Sequence, residues 1–202
     1  INRSKRERER TQKREINVEY LSRNLAQIRS GTALSDLCYL AKIFLGMFID
    51  VDRELSPERR LLEALNIQIT EAALEGFIAS LLNAEIPSPH QIGDSYACGR
   101  TYDFGFVVVA GMSLLAKSAD RTMLKLPENT LGAAICFRYA NLIDTKWDWH
   151  ARIIVERPNI SAAALEAFWR PQLMRGQKHI LGLHDLVFAD WMVSVAESAT
   201  LS

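Results

Sequence analysis

The chain has 202 residues, enough for one large domain or a row of helical repeats with a buried core. Hydrophobic residues make up 49 % and charged residues 24 %, which is typical of a globular protein and excludes a disordered or fibrous one. The formal net charge is zero, so the whole molecule is not attracted to nucleic acid or anionic lipid. Any electrostatic partner must therefore bind a local patch.

The apolar segments and the cysteines predict a cytoplasmic location. The first fifteen residues contain no apolar segment of the signal-peptide type. The longest apolar run, residues 104–116, is shorter than the roughly 18 residues that a membrane-spanning helix needs. An odd number of isolated cysteines argues against a disulfide framework. Because the chain opens at Ile1 within a charged helical pattern, we expect a piece of a longer polypeptide.

The first predicted helix covers residues 3–28. Its first half, RSKRERERTQKRE, is rich in basic residues and has no apolar stripe, whereas its second half has apolar residues at helical spacing. Gly31 is expected to end it. We predict a charged leading helix or linker over residues 1–30 and an α-helical repeat region over residues 31–202.

Cap residues mark the helices that follow in the first half of the chain. Thr32 is predicted to cap a helix that ends near Phe48, and Ser56 to cap one with proline in its first position. Another is predicted to begin at Thr70. The segment 86–94 contains two prolines and a glycine, which predicts a break between helices. The sequence does not decide between a helix and a long loop for residues 95–106.

The second half continues the helical pattern. Helices are predicted from Phe106 to Ser118, from the Leu-Pro-Glu at residues 126–128, over residues 147–155, from Ser161 to an interruption at Pro171, and from Ile180 to Trp191. The motif Pro-Glu-x-x-Leu recurs at residues 57 and 127, which fits units of two helices. The predicted fold is all-α, a HEAT-like helical-repeat solenoid of about eight to ten helices.

Catalytic and metal-binding motifs are missing from the sequence. His179 and His184 are five residues apart, which places them on different faces of a helix rather than at the spacing of a zinc pair. There is no phosphate-binding loop and no G-x-S-x-G nucleophile motif. Cys98 stands in a Cys-Gly-Arg segment with no histidine fixed beside it in sequence. We predict no enzyme activity in this fragment, no catalytic residue, no metal and no cofactor.

The tryptophans are the predicted protein-binding residues. Trp147 and Trp149 are two positions apart, so they cannot both face one core on a helix, and an exposed tryptophan often anchors an interface. The alternative is that both pack between successive helix layers. The predicted partner-binding set is Trp147, Trp149, Arg152 and Trp169.

Nucleic-acid binding through the basic first helix is the alternative function. A DNA-binding arm is usually denser in lysine and arginine and does not alternate with glutamate. The residues of this alternative are Arg3, Lys5, Arg6, Arg10, Lys13 and Arg14.

Several segments resemble a known family. They include Leu126-Pro-Glu-Asn-Thr-Leu-Gly-Ala-Ala-Ile, Glu156-Arg-Pro-Asn-Ile-Ser-Ala-Ala-Ala-Leu, Phe168-Trp-Arg-Pro-Gln-Leu and Glu71-Ala-Ala-Leu-Glu-Gly-Phe. Together they resemble the C-terminal helical-repeat region of large bacterial NACHT/STAND-type NTPases. The resemblance implies a sensor region that binds a protein target, follows an NTPase module in the same chain and takes part in signalling or anti-phage defence. Because no phosphate-binding loop is present here, it assigns no nucleotide-binding residue.

Overall fold

The computed structural model describes residues 2–117, 122–141 and 149–188, with the side chains of 2–7, 9–10 and 186–188 left out. These residues form helices and no strand, which confirms the all-α prediction. The helices are α1 Asn2–Arg23, α2 Leu25–Arg29, α3 Leu34–Phe44, α4 Pro57–Ala64, α5 Ile67–Asn83, α6 Pro89–Ala97, α7 Phe104–Ala116, a 3₁₀ helix Thr122–Lys125, α8 Glu128–Ala140, α9 Trp149–Glu156, α10 Pro158–Met174 and α11 Leu183–Phe188.

The chain divides into two compact units, residues 1–84 and 85–202. The predicted division at residue 30 stays a prediction, although α2 packs within the first unit against α5. No helix in the described part of the chain combines the length and the apolarity needed to cross a membrane.

The core of the first unit lies where α2, α3 and α5 meet. Ile28, Leu37, Phe44 and Phe77 are fully buried there, and the two phenylalanine rings meet edge to face at 5.6 Å. Gly76 lets α5 approach α2, because a β-carbon at this position would lie 2.0 Å from the carbonyl oxygen of Ile28. A close helix pair therefore supports this unit.

The core of the second unit lies among α6, α8 and α10. Gly93 on α6 faces the backbone of α10, where a β-carbon would lie 2.3 Å from the carbonyl oxygen of Phe168. Phe168 and Phe137 are fully buried, and the first half of α7 adds three consecutive buried valines. The segment that contains these valines is thus a buried helix, as predicted for the residues after Phe106.

Local cap chemistry explains which predicted boundaries are correct. The Ser56 hydroxyl accepts a hydrogen bond from the Arg59 amide, so this cap is confirmed. Thr32 is not a cap, because its hydroxyl donates to the Gln27 carbonyl and α3 begins two residues later. The cap of α5 is Asn66 rather than Thr70, since the Asn66 side chain accepts from the Ile69 amide at 2.9 Å.

The predicted break at residues 86–94 is wrong, because a helix begins inside it. The Ser88 side chain accepts from the Gln91 amide, and the Gln91 side chain accepts from the Ser88 amide at 2.8 Å, which forms a capping box. Pro89 occupies the first helical position, where its missing N–H costs nothing. The unassigned residues 95–106 comprise the end of α6, a short loop and the start of α7.

Other predicted boundaries also differ, since α3 ends at Phe44 rather than near Phe48 and α11 begins at Leu183 rather than Ile180. The first predicted helix is interrupted at Asn24, whose side chain donates to Asp36 at 3.0 Å. Pro158 begins α10 directly after Arg157, so Ser161 lies inside the helix, and α10 continues through Pro171 to Met174. The predicted helix ends at Ser118 and Trp191 lie outside the described residues.

Candidate functional site

A groove of about 210 Å³ opens on the first unit, between helices that are distant in sequence. α1, α3, α4 and the loop after α3 form its walls. The lining residues are Lys13, Arg14 and Asn17 from α1, Tyr39 and Ile43 from α3, Phe48, Asp50 and Val51 from the loop, and Ala64 from α4.

Neutral and largely apolar groups form the interior of the groove. Ile43 is buried, and the Tyr39 and Phe48 rings lie 5.5 Å apart in a tilted arrangement. The Tyr39 hydroxyl accepts a hydrogen bond from the Asn17 amide at 2.8 Å. Burial raises the pKa of Tyr39 more than this hydrogen bond lowers it, so the phenol is neutral at pH 7. The groove is therefore suited to an apolar side chain.

Two cations of α1 border the groove. The Arg14 guanidinium donates to the Leu65 carbonyl at the end of α4, at 2.6 Å, which ties α1 to that helix. Lys13 is exposed and pairs with no carboxylate within the described ranges. The loop contributes one carboxylate, Asp50. The lining thus combines an apolar interior with two cations and one anion.

Arginines hold the loop that forms one wall. The Arg60 guanidinium donates to the Phe44 carbonyl at 3.0 Å, where α3 ends, and also to the Arg53 carbonyl. Arg53 in turn donates to the Gly46 carbonyl at 3.0 Å. Gly46 adopts a φ of +72°, a conformation that favours glycine. Because these bonds constrain the loop, Phe48 and Val51 are positioned before any partner binds.

Large apolar side chains are exposed in the same segments that line the groove. Ile16 and Tyr20 on α1 are 58 % and 56 % exposed, and Met47 and Ile49 in the loop are 42 % and 97 % exposed. Single exposed apolar residues are ordinary, but several of them in the segments that line an apolar groove are typical of an interaction site.

The structure brings together only part of the predicted nucleic-acid set. Lys13 and Arg14 line the groove, whereas the side chains of Arg3, Lys5, Arg6 and Arg10 lie outside the described residues. Tyr39 and Phe48 also line the groove, but neither is among the site residues predicted from the sequence. Neither belongs to a motif, and the local sequence signal is the apolar Met47, Phe48 and Ile49 directly after Gly46.

Trp149 is not an exposed anchor, contrary to the first of the two interpretations of the tryptophan pair. It is 2 % exposed and its ring meets that of His150 at 5.9 Å, edge to face. A side chain with almost no accessible surface cannot contact a partner without unfolding, so packing inside the unit is the correct interpretation for Trp149. Trp147 lies outside the described residues.

The other two predicted partner-binding residues are engaged within the second unit. Arg152 forms an ion pair with Glu156 at 3.0 Å, one helical turn away. The Trp169 indole N–H donates to the Leu181 carbonyl at 2.7 Å, which holds the segment before α11 against α10. Their role in partner binding stays a prediction.

The cysteines differ in burial. Cys98 is exposed, Cys38 is half-buried and Cys136 is buried, and burial raises the pKa of the Cys136 thiol. Over the described ranges, no group of three or more histidine, cysteine, aspartate or glutamate side chains could hold a metal ion.

The groove on the first unit is therefore the site with the clearest physical character. Comparison of the chain with known protein families, curated proteins and solved structures finds no match.

Proposed function

We propose that this chain is a protein-recognition module whose first unit binds its target through the groove between α1 and α3. The observation that carries the proposal is the apolar interior of this groove, together with exposed apolar side chains in the two segments, α1 and the loop after α3, that supply most of its lining. Interfaces place apolar anchors in a central pocket and polar groups around it, which is the arrangement of residues here.

The size of the groove favours a side chain of a protein over a cofactor. Sites for drug-sized ligands and cofactors have volumes of about 300–1,000 Å³. The groove measures about 210 Å³, room for one or two large side chains. An apolar anchor from a partner would fill it, and the exposed Ile16 of α1 and Ile49 of the loop are proposed to extend the contact.

At a finer level, we propose a HEAT-like solenoid that acts as the sensor region of a larger NACHT/STAND-type NTPase. The segments that resemble this family and the short connections between helices support it, such as the single residue between α9 and α10. In this mechanism, target contact shifts the packing of successive helices and biases a nucleotide-dependent switch between two states.

A displayed library of random 16-residue peptides, selected against the immobilised chain, tests the recognition function. We expect selected peptides to bind the Ile16→Asp, Ile49→Asp double variant at least tenfold more weakly, because charge in the exposed walls opposes apolar contact. The matched control is Leu82→Asp, which changes an exposed apolar residue of α5, a helix that supplies no lining residue to the groove. If the selected peptides bind the wild type, the double variant and Leu82→Asp equally, or if no peptide is selected, the groove does not recognise protein.

The family part of the proposal has a separate test. The full-length gene product should contain a phosphate-binding loop and an NTPase module upstream of Ile1. A reading frame that starts within a few codons of Ile1 would contradict the sensor proposal and leave the peptide-binding result unaffected.

Nucleic-acid binding by α1 is a second candidate, favoured by the two cations that α1 places at the groove. It predicts that the chain retards a DNA duplex at low salt, with an affinity that falls steeply as salt is added. No retardation at low salt would exclude it.

A further inference from the structure

We infer that the groove takes an acidic amphipathic protein segment, with an apolar side chain in the interior and a carboxylate against Lys13. This inference rests on the proposed recognition function and specifies the chemistry of its partner. The positive charge of α1 and the apolar nature of the rest of the lining carry it.

The α1 wall of the groove is positively charged. The sequence from Arg3 to Arg14 contains seven basic residues and two glutamates, and its last two basic residues line the groove. Lys13 is exposed and finds no carboxylate partner in the described part of the chain. Arg14 directs one N–H group to the Leu65 carbonyl, an uncharged acceptor, so its positive charge is not neutralised there. A partner carboxylate would complement both.

The apolar part of the groove lining favours a protein partner over a nucleic-acid partner. The side chains of Ile43 and Val51 offer no hydrogen bond to a phosphate or a base edge, and neither do the exposed Ile16 and Ile49 of the same segments. The Tyr39 hydroxyl already accepts from Asn17, and its ring packs on Phe48. A large aliphatic or aromatic side chain can bury apolar surface against these groups.

The charged and apolar parts of the lining lie in different segments. Both lining cations come from α1, whereas Phe48 and Val51 come from the loop. The partner acid is therefore expected beside α1 and the apolar anchor beside Phe48 and Val51. A segment with an acidic face and an apolar face satisfies both requirements.

The composition of peptides selected from the random 16-residue library tests this inference. We expect aspartate or glutamate close to leucine or phenylalanine in the peptides that depend on Ile16 and Ile49. Lys13→Glu should weaken the binding of such a peptide at least tenfold. Replacing the peptide's acidic residues by their amides should weaken binding to the wild-type chain by a similar factor. Arg59→Glu is the matched control, because Arg59 is exposed on α4 and does not line the groove.

The outcomes separate this inference from the proposed function. Groove-dependent peptides without acidic residues, or peptides indifferent to Lys13→Glu, would overturn the acidic-partner inference and leave protein recognition standing. Competition by a 20-base-pair duplex or a single-stranded oligonucleotide would overturn it in favour of nucleic acid. A dimer in light scattering that Ile49→Asp dissociates would overturn it in favour of a second copy of this chain.

Discussion

The buried phenol of Tyr139 connects α8 to the segment that leads into α11. Its hydroxyl donates to an Asp185 carboxylate oxygen at 2.9 Å, and Gly182, with a φ of +77°, packs on the ring. Burial is the main cause that raises the pKa of Tyr139 above its ordinary value of 10, and Asp185 raises it further. The neutral phenol is therefore favoured by the folded state.

We predict that Asp185→Asn lowers the pKa of Tyr139, because it removes the neighbouring negative charge. A raised folded-state pKa gives stability that is present below pH 10 and lost as pH rises above it. Ultraviolet titration of tyrosinate should show the lower pKa of Tyr139 in Asp185→Asn. Tyr139→Phe should remove the part of the titration curve that belongs to this phenol. Tyr20→Phe, which removes an exposed phenol, is the control. A titration curve identical in Asp185→Asn and the wild type would contradict the assigned cause.

At the scale of helices, the approach of α6 to α10 depends on Gly93. A β-carbon there would lie 2.3 Å from the Phe168 carbonyl oxygen, which belongs to the backbone and cannot rotate away. Alanine gains about 1 kcal/mol in helix propensity over glycine. Overpacking a well-packed interior costs about 1–3 kcal/mol, and more when backbone must move, so the clash outweighs the gain.

We therefore predict that Gly93→Ala lowers the free energy of unfolding by up to about 2 kcal/mol, which is the packing cost less the gain in helix propensity, measured by urea denaturation. Gly99→Ala is the control, because a β-carbon at Gly99 meets nothing within 4 Å and only its φ of +73° is unfavourable. That variant should lose about 1 kcal/mol. A Gly93→Ala protein as stable as the wild type would contradict the close packing of α6 on α10.

The helices show what sequence alone predicts and what it misses. The all-α class follows from apolar periodicity and was correct, and so was the cap at Ser56. Ser88 has the same serine–proline chemistry, but a nearby second proline made its segment read as a break. Pro171 was expected to end a helix, yet it is buried within α10, where tertiary packing offsets the lost hydrogen bond.

The candidate site was predictable only in part, for a physical reason. Lys13 and Arg14 stand in a visible basic run, so composition alone marked them. Tyr39 and Phe48 belong to segments more than twenty residues away, and folding brings them beside α1. Trp149, in contrast, was predicted to bind a partner because of its residue type, but its ring packs in the core.

At the scale of the whole molecule, charge balance determines how the chain behaves in solution. The chain has 24 basic and 24 acidic residues, and its sequence isoelectric point is about 7.1. Proteins with a net charge near zero repel one another least and associate most readily. The exposed Ile16 and Ile49 add apolar surface that favours such association when repulsion is weak.

We predict that the solubility of the chain passes through a minimum near pH 7, with higher values near pH 5.5 and pH 8.5. Precipitation by polyethylene glycol at a series of pH values measures it. In the Ile16→Asp, Ile49→Asp variant, two added carboxylates move the isoelectric point down, so the minimum should move to lower pH and become shallower. A wild-type curve that rises or falls steadily from pH 5.5 to pH 8.5 would contradict the prediction. The peptide-binding assays therefore belong at pH 8 or above, where net repulsion suppresses self-association and a groove-dependent signal reports the partner alone.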